Sequence, residues 1–178
     1  LAGRIETVRT FVAMTQPNRE LMRISPLGKI PTLVTDEGAV LFDSAFICEY
    51  LDSLHGGARL FPQEPGRRWQ ALRWHALGNH MLDNLVLWLN ERRRPRQQQS
   101  AEMLAAFELK IRTALPVLDG EAEALGKTPV GIGHVCIGDV LGYTDFRFPE
   151  LGWRNGHGRI AAWYEAFAQR PSMRNTMP

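Results

Sequence analysis

Asp43 and Ser44 stand side by side directly ahead of a helical pattern, and both are residue types that cap helix N-termini well. A helix N-terminus exposes unpaired N–H groups and the positive end of the helix dipole. The pair can therefore hold a carboxylate through backbone amides and the Ser44 hydroxyl. The alternative is that the two residues do no more than cap the helix. Upstream, Ile30 precedes Pro31. If that bond is cis, the backbone of Ile30 turns outward and its N–H and C=O are open to an extended peptide, as a strand edge is. A trans proline that merely separates a loop from a strand is the alternative there.

The elements that must position them lie between Ser25 and Ser44, reading SPLGKIPTLVTDEGAVLFDS. Pro26 and Gly28 punctuate a loop. Thr32 to Thr35 form a β-type run, Asp36, Glu37 and Gly38 a polar turn, and Ala39 to Phe42 a second short strand, which predicts an antiparallel hairpin. The helix after Ser44 carries Phe46, Ile47, Tyr50, Leu51 and Leu54 on one face. Ahead of the hairpin, residues 4 to 10, RIETVRT, have the composition of a short strand, and NRELMRIS suits a short helix capped by Asn18. This first unit ends at His55-Gly56-Gly57 and reads strand, helix, strand, strand, helix.

From Pro62 onward the chain turns helical. The segment from Gly66 to Arg94 carries Trp69, Leu72, Ala76, Met81, Leu85 and Trp88 at helical spacing. Trp74, Leu82, Val86 and Leu89 mark a second apolar face of the same helix. A helix apolar on two sides can face both its own bundle and the first unit, which leaves Leu82 and Val86 to line an apolar pocket. The alternative for both is core or subunit interface. A second helix is predicted from Ser100 to Leu125, with Pro116 and Gly120 as kink sites. A third is predicted from about Ile137 to Phe148, and a last one runs from Arg159 to Arg170, stopped by Pro171.

The 178 residues are 44% hydrophobic, enough for a substantial core in one large or two small domains. A net charge of +2 from 21 basic and 19 acidic side chains gives no field that implies nucleic acid. Arg92, Arg93, Arg94 and Arg96 cluster at the predicted end of a helix, where cations complement the dipole and stay solvated. No apolar run approaches the roughly 18 residues of a membrane span. Cys48 and Cys136 lie far apart without a C-x-x-C spacing and read as reduced thiols of a cytoplasmic protein. His75 and His80, five apart on one helix, point to different faces, so no metal is expected.

The order GKIP, hairpin, DS, helix with CEYLD resembles the glutathione-binding half of bacterial glutathione S-transferases. The likeness continues through FPQEPGRRWQALRWHAL, LGYTDFRFPELGW and RIAAWYEAFAQRPSM, nearly to the end of the chain. It implies an α/β unit plus an all-α unit: a truncated thioredoxin-like domain at 1–57, lacking its first strand and helix, then an all-helical bundle at 65–178. It implies that Ile30, beside a cis Pro31, pairs with the cysteinyl backbone of glutathione. Asp43 and Ser44 then hold the γ-glutamyl end, and Lys29 reaches the glycyl carboxylate. Glutathione is thus the expected co-substrate, a small hydrophobic electrophile the second partner, and a homodimer the expected assembly.

In such proteins a Ser, Cys or Tyr at the end of the first strand or the start of its helix activates the thiol. No residue here matches that position, so roughly twenty residues, one strand plus one helix, are expected ahead of Leu1. Tyr50, Tyr143 and Tyr164 fall in apolar helical patterns and read as packing. The resemblance also opens the third helix with a cap and an Asp three residues on, which places Cys136 and Asp139 in those roles. If the activating residue is Cys, the chemistry is thiol exchange through a mixed disulfide. A glutathione-fold binding or regulatory protein without turnover is the reading from another class.

Overall fold

The computed structural model describes residues 2–176. The chain divides into two compact units, Leu1–Phe61 and Pro62–Pro178. The first holds helix α1 (Arg19–Met22), strands β1 (Leu33–Val34) and β2 (Val40–Leu41), and helix α2 (Ser44–Ser53). The second holds α3 (Pro65–Arg92), α4 (Ala101–Lys127), α5 (Ile132–Arg147), α6 (Gly158–Ala168) and α7 (Pro171–Arg174). This is the expected α/β unit followed by an all-helical one.

In the first unit the local signals take effect as their chemistry dictates. The Asn18 side chain accepts from Leu21 N–H and starts α1. β1 and β2 pair antiparallel with Leu33 opposite Leu41 and Val34 opposite Val40. Their turn closes through Thr35 N–H to Ala39 C=O (2.9 Å) and Gly38 N–H to Thr35 C=O (2.9 Å). Gly38 takes φ 81°, a left-handed conformation that a glycine adopts without steric cost. The end of the unit is tied back to α2 by the buried Asp52 of the CEYLD segment. Its carboxylate accepts from Leu60 N–H (2.9 Å) and Phe61 N–H (3.1 Å).

Residues 4–10 are not the expected strand. Ala2–Arg4 form a single 3-10 turn, and residues 5–10 are irregular, with Ile5 and Val8 exposed. A strand exists only as the partner of another, and the sheet found among the described residues is the two-stranded β1–β2 pair. Composition favours an extended chain there, but no ladder is available to fix it.

In the helical unit α3 packs on α4 and α5, and α4 packs on α6. Trp74, Leu85, Ile111, Leu115, Leu118, Ile137, Leu141 and Ile160 fill the interior, each almost wholly removed from water. α3 and α5 cross very closely: a Cβ added to Gly133 would stand 2.6 Å from Trp74 Cβ and 2.8 Å from Ala71 O. α4 passes Pro116 and Gly120 as one helix, its buried stripe from Phe107 to Leu125 continuous on either side. Trp69, expected on an apolar face, is instead exposed. α6 is capped from a neighbour: Asp119 of α4 accepts from Arg159 N–H (2.9 Å) and Ile160 N–H (3.0 Å). No helix of the described residues is long and apolar enough to cross a membrane.

α5 begins at Ile132, ahead of the predicted Ile137, and Cys136 and Asp139 do not cap it. The start is set by Gly131, whose N–H donates to Nδ1 of His134 at the third helical position (3.1 Å). Cys136 lies inside the helix, buried against α3, where its thiol donates to His75 C=O (3.4 Å). Since Nδ1 of His134 accepts, the ring proton sits on Nε2, which donates to Leu125 C=O (3.1 Å) and lies 3.3 Å from Thr128 Oγ1. His134 is thus a neutral, buried clasp between the end of α4 and the start of α5, and its burial holds its pKa below the usual histidine range.

Candidate functional site

The antiparallel register of β1 and β2 returns the chain on itself, so the residues leading into β1 and those leaving β2 lie at one end of the hairpin. Ile30 and Pro31 occupy the first position, Phe42, Asp43 and Ser44 the second. The Ile30–Pro31 peptide bond is cis, as the sequence reading anticipated. Phe42–Asp43 is also cis, a feature that nothing in the residue types signalled. Ile30 is half exposed, and its backbone N–H and C=O have no hydrogen-bond partner among the described residues. Beside it, Lys29 C=O accepts from the Thr32 hydroxyl (2.8 Å), which fixes the chain entering the strand. The Lys29 side chain is exposed and makes no ion pair among the described residues.

Asp43 occupies the N-cap of α2, its Oδ1 accepting from Ala45 N–H (3.1 Å). The first backbone bond of the helix runs from Ile47 N–H to Asp43 C=O (2.9 Å). The amides of Ser44 and Phe46 therefore remain open, and the half-buried Ser44 keeps its hydroxyl free of any protein partner among the described residues. Capping and anion binding are thus compatible here: Asp43 satisfies one amide, and Ser44 with its neighbours retains donors for a ligand. The geometry brings Lys29, Ile30, Pro31, Asp43 and Ser44 to one end of a two-stranded support, where an extended, carboxylate-bearing peptide can pair with backbone and helix terminus together.

Leu82 and Val86 belong to the helical unit. Leu82 is half-buried against the bundle core, and Val86 is exposed on α3. Tyr50, Tyr143 and Tyr164 all lie on helices, with Tyr164 buried. Among the described residues no group of three or more His, Cys, Asp or Glu is placed to hold a metal ion. Phe42, placed by the sequence reading at a strand end, carries the second cis bond, directly ahead of α2. Its apolar type fits an ordinary strand end and carries no local signal of that geometry.

Comparison with known proteins bears on the family. Residues 1–54 match the family described as the glutathione S-transferase N-terminal domain. An uncharacterized GST-like protein of Escherichia coli K12, YibF, is 30% identical over 88% of this chain and 78% of its own length. The crystal structure of a glutathione transferase family member from Pseudomonas fluorescens Pf-5, with bound glutathione, superposes with a TM-score of 0.95 at 38% identity, covering 99% of this chain and 86% of that one. A glutathione S-transferase from Methylobacillus flagellatus KT, also with glutathione bound, gives a TM-score of 0.87 at 30% identity over 98% of this chain and 88% of that one. A hairpin that leads from an open peptide edge to a helix N-terminus, the helical unit after it, and relatives matched over most of their length agree: this chain belongs to the glutathione S-transferase family.

Proposed function

We propose that the protein is a glutathione transferase that joins the glutathione thiol to a small hydrophobic electrophile. The observation that carries this reading lies at one end of the β1–β2 hairpin, where a backbone edge at Ile30 and the amides and hydroxyl at Ser44 have no partner among the described residues. Ile30 takes the cysteinyl backbone, Asp43 and Ser44 the γ-glutamyl end, and Lys29 the glycyl carboxylate. Leu82 and Val86 of α3 are the apolar residues assigned in this reading to the electrophile.

The thiol must be used as thiolate. A free thiol has a pKa of about 8.5, so a shift of two units requires about 2.7 kcal/mol of extra stabilisation of the anion. A hydroxyl hydrogen bond and a helix dipole are of that order together. The role of thiol activator is not given to Tyr50, Tyr143 or Tyr164. A homodimeric assembly and a cytoplasmic location belong to the same reading.

Calorimetric titration of the full chain with reduced glutathione tests it. Saturable binding is expected, and Ser44→Ala should weaken it by about 1 to 3 kcal/mol, the scale of a hydrogen bond to a charged group. Absence of binding to the unaltered protein overturns the reading. Binding unchanged in Ser44→Ala would reduce that residue to a cap.

A further inference from the structure

The helical unit contains a concave site built from α5, α6 and α7 that shares no residue with those assigned to glutathione or the electrophile. It is a cavity of about 370 Å³, lined by Gly138, Asp139, Gly142, Tyr143, Asp145 and Phe146 of α5, with Tyr164, Met173 and Thr176 closing it from the other side. That volume lies at the lower end of the range for small-molecule sites. Its walls are mainly aromatic rings, a thioether and the bare backbone of two glycines. Gly142 leaves room for the Tyr164 hydroxyl, which would stand 2.9 Å from any Cβ placed there.

Two carboxylates reach this cavity, and only one is neutralised. Asp145 is fully engaged: Trp153 Nε1 donates to Oδ1 (2.7 Å), and Arg154 donates from Nη1 to Oδ1 (2.5 Å) and from Nη2 to Oδ2 (2.8 Å). Arg154 also lies over the Trp153 ring at 4.4 Å. Arg147, also of α5, is stacked on the Phe146 ring at 3.9 Å. Asp139 has no hydrogen bond and no ion pair among the described residues. It is exposed to solvent at the cavity's edge, yet the surrounding protein pushes its pKa up to about 6, with no opposing cation among the described residues. A carboxylate without a partner beside an apolar concavity is open to a ligand that brings the complementary charge together with an apolar body.

We propose that this cavity is a binding site for a small organic ammonium ion, an amine with an apolar body, whose charge pairs with Asp139 while the body fills the space between Tyr143, Tyr164 and Met173. The glutathione reading rests on other residues, so the two stand or fall separately. The groups facing the ammonium are Asp139, Tyr143 and Asp145 from α5 and Tyr164 from α6, with Met173 of α7 and Thr176 after it uncharged. Arg154 holds Asp145, so the site presents one net negative charge at neutral pH.

The probe is 2-phenylethylammonium, with 2-phenylethanol as its neutral counterpart, titrated by calorimetry into the full chain without glutathione. Saturable one-to-one binding is expected at pH 8. Tenfold or greater weakening is expected in Asp139→Asn, with the neutral alcohol bound equally by both proteins. The unaltered protein offers a second measurement that needs no variant. Between pH 8 and pH 5 the probe stays protonated, and its affinity should fall as the pH passes below about 6. No saturable binding, equal affinity in Asp139→Asn, or an affinity constant from pH 8 to pH 5 would each overturn the proposal.

Discussion

Replacing His134 by Asn should remove a specific part of the protein's pH-dependent stability. In the folded chain the Gly131 N–H points at Nδ1, and Nε2–H points at Leu125 C=O (3.1 Å). A second ring proton would have to sit on Nδ1 against another donor, so the cation is refused. Burial is the largest cause of the lowered pKa, the bond to Leu125 opposes it, and the Arg170 charge adds to it. Above about pH 6.5 both the folded and unfolded chains carry a neutral histidine, and the full stability is present. As the pH falls below that value the unfolded chain binds a proton that the folded chain does not, so stability is lost until the lower folded pKa is reached. From pH 7.5 to 5.5 the loss from this residue amounts to at most about 1.4 kcal/mol, one pKa unit's worth.

Asp139 works in the opposite direction over part of this range, because its raised pKa makes the folded state the better proton acceptor below about 6. That contribution is common to both proteins and cancels in the comparison. The assay is urea unfolding followed by tryptophan fluorescence at the two pH values. Asn at position 134 can still accept from Gly131 N–H and should cost about 1 to 2 kcal/mol at pH 7.5, the scale of one buried hydrogen bond. Ala leaves both Gly131 N–H and Leu125 C=O unpaired and loses the edge contact with Trp74 (5.3 Å), for about 3 to 5 kcal/mol in all. If the unaltered protein and His134→Asn lose the same stability between pH 7.5 and 5.5, the neutral-clasp reasoning is wrong.

Lys29→Ala should weaken glutathione binding by less than Ser44→Ala does, with the loss shrinking as salt is raised, because the exposed ammonium acts through screened charge. A loss that does not respond to ionic strength would mean that the aliphatic stem packs against the ligand. Gly133→Ala should lower the unfolding temperature by several degrees. Its Cβ would meet Trp74 Cβ at 2.6 Å and Ala71 O at 2.8 Å, neither of which can swing aside, and overpacking of this kind costs about 1 to 3 kcal/mol. An unchanged melting temperature would mean that α3 and α5 part at this crossing at almost no cost.

The candidate site was legible because its physics is short-range. A polar turn ending in glycine forces the hairpin, and an Asp-Ser pair ahead of an apolar period-3.6 pattern starts α2 whatever the rest of the chain does. What sequence misplaced depends on partners distant along the chain. Residues 4–10 have strand composition, but a strand is a property of two segments. The spacing of Cys136 and Asp139 imitates a capping box, yet the helix starts where Pro129 and Gly131 break α4 from α5, with a histidine in the position usually held by an acid. The apolar pattern running from Ile132 through Cys136 and Ile137 to Val140 and Leu141 was the signal that could have moved the boundary. Trp69 and Val86 carry the right periodicity for burial, and periodicity alone does not say what covers a face, which leaves both exposed in the helical unit. The same distinction separates the two ends of the proposed reaction. The glutathione end is written in caps and turns a few residues long, whereas the electrophile end is a packing property of surfaces, so its chemistry must be read by titration with compounds of varied shape rather than from residue types.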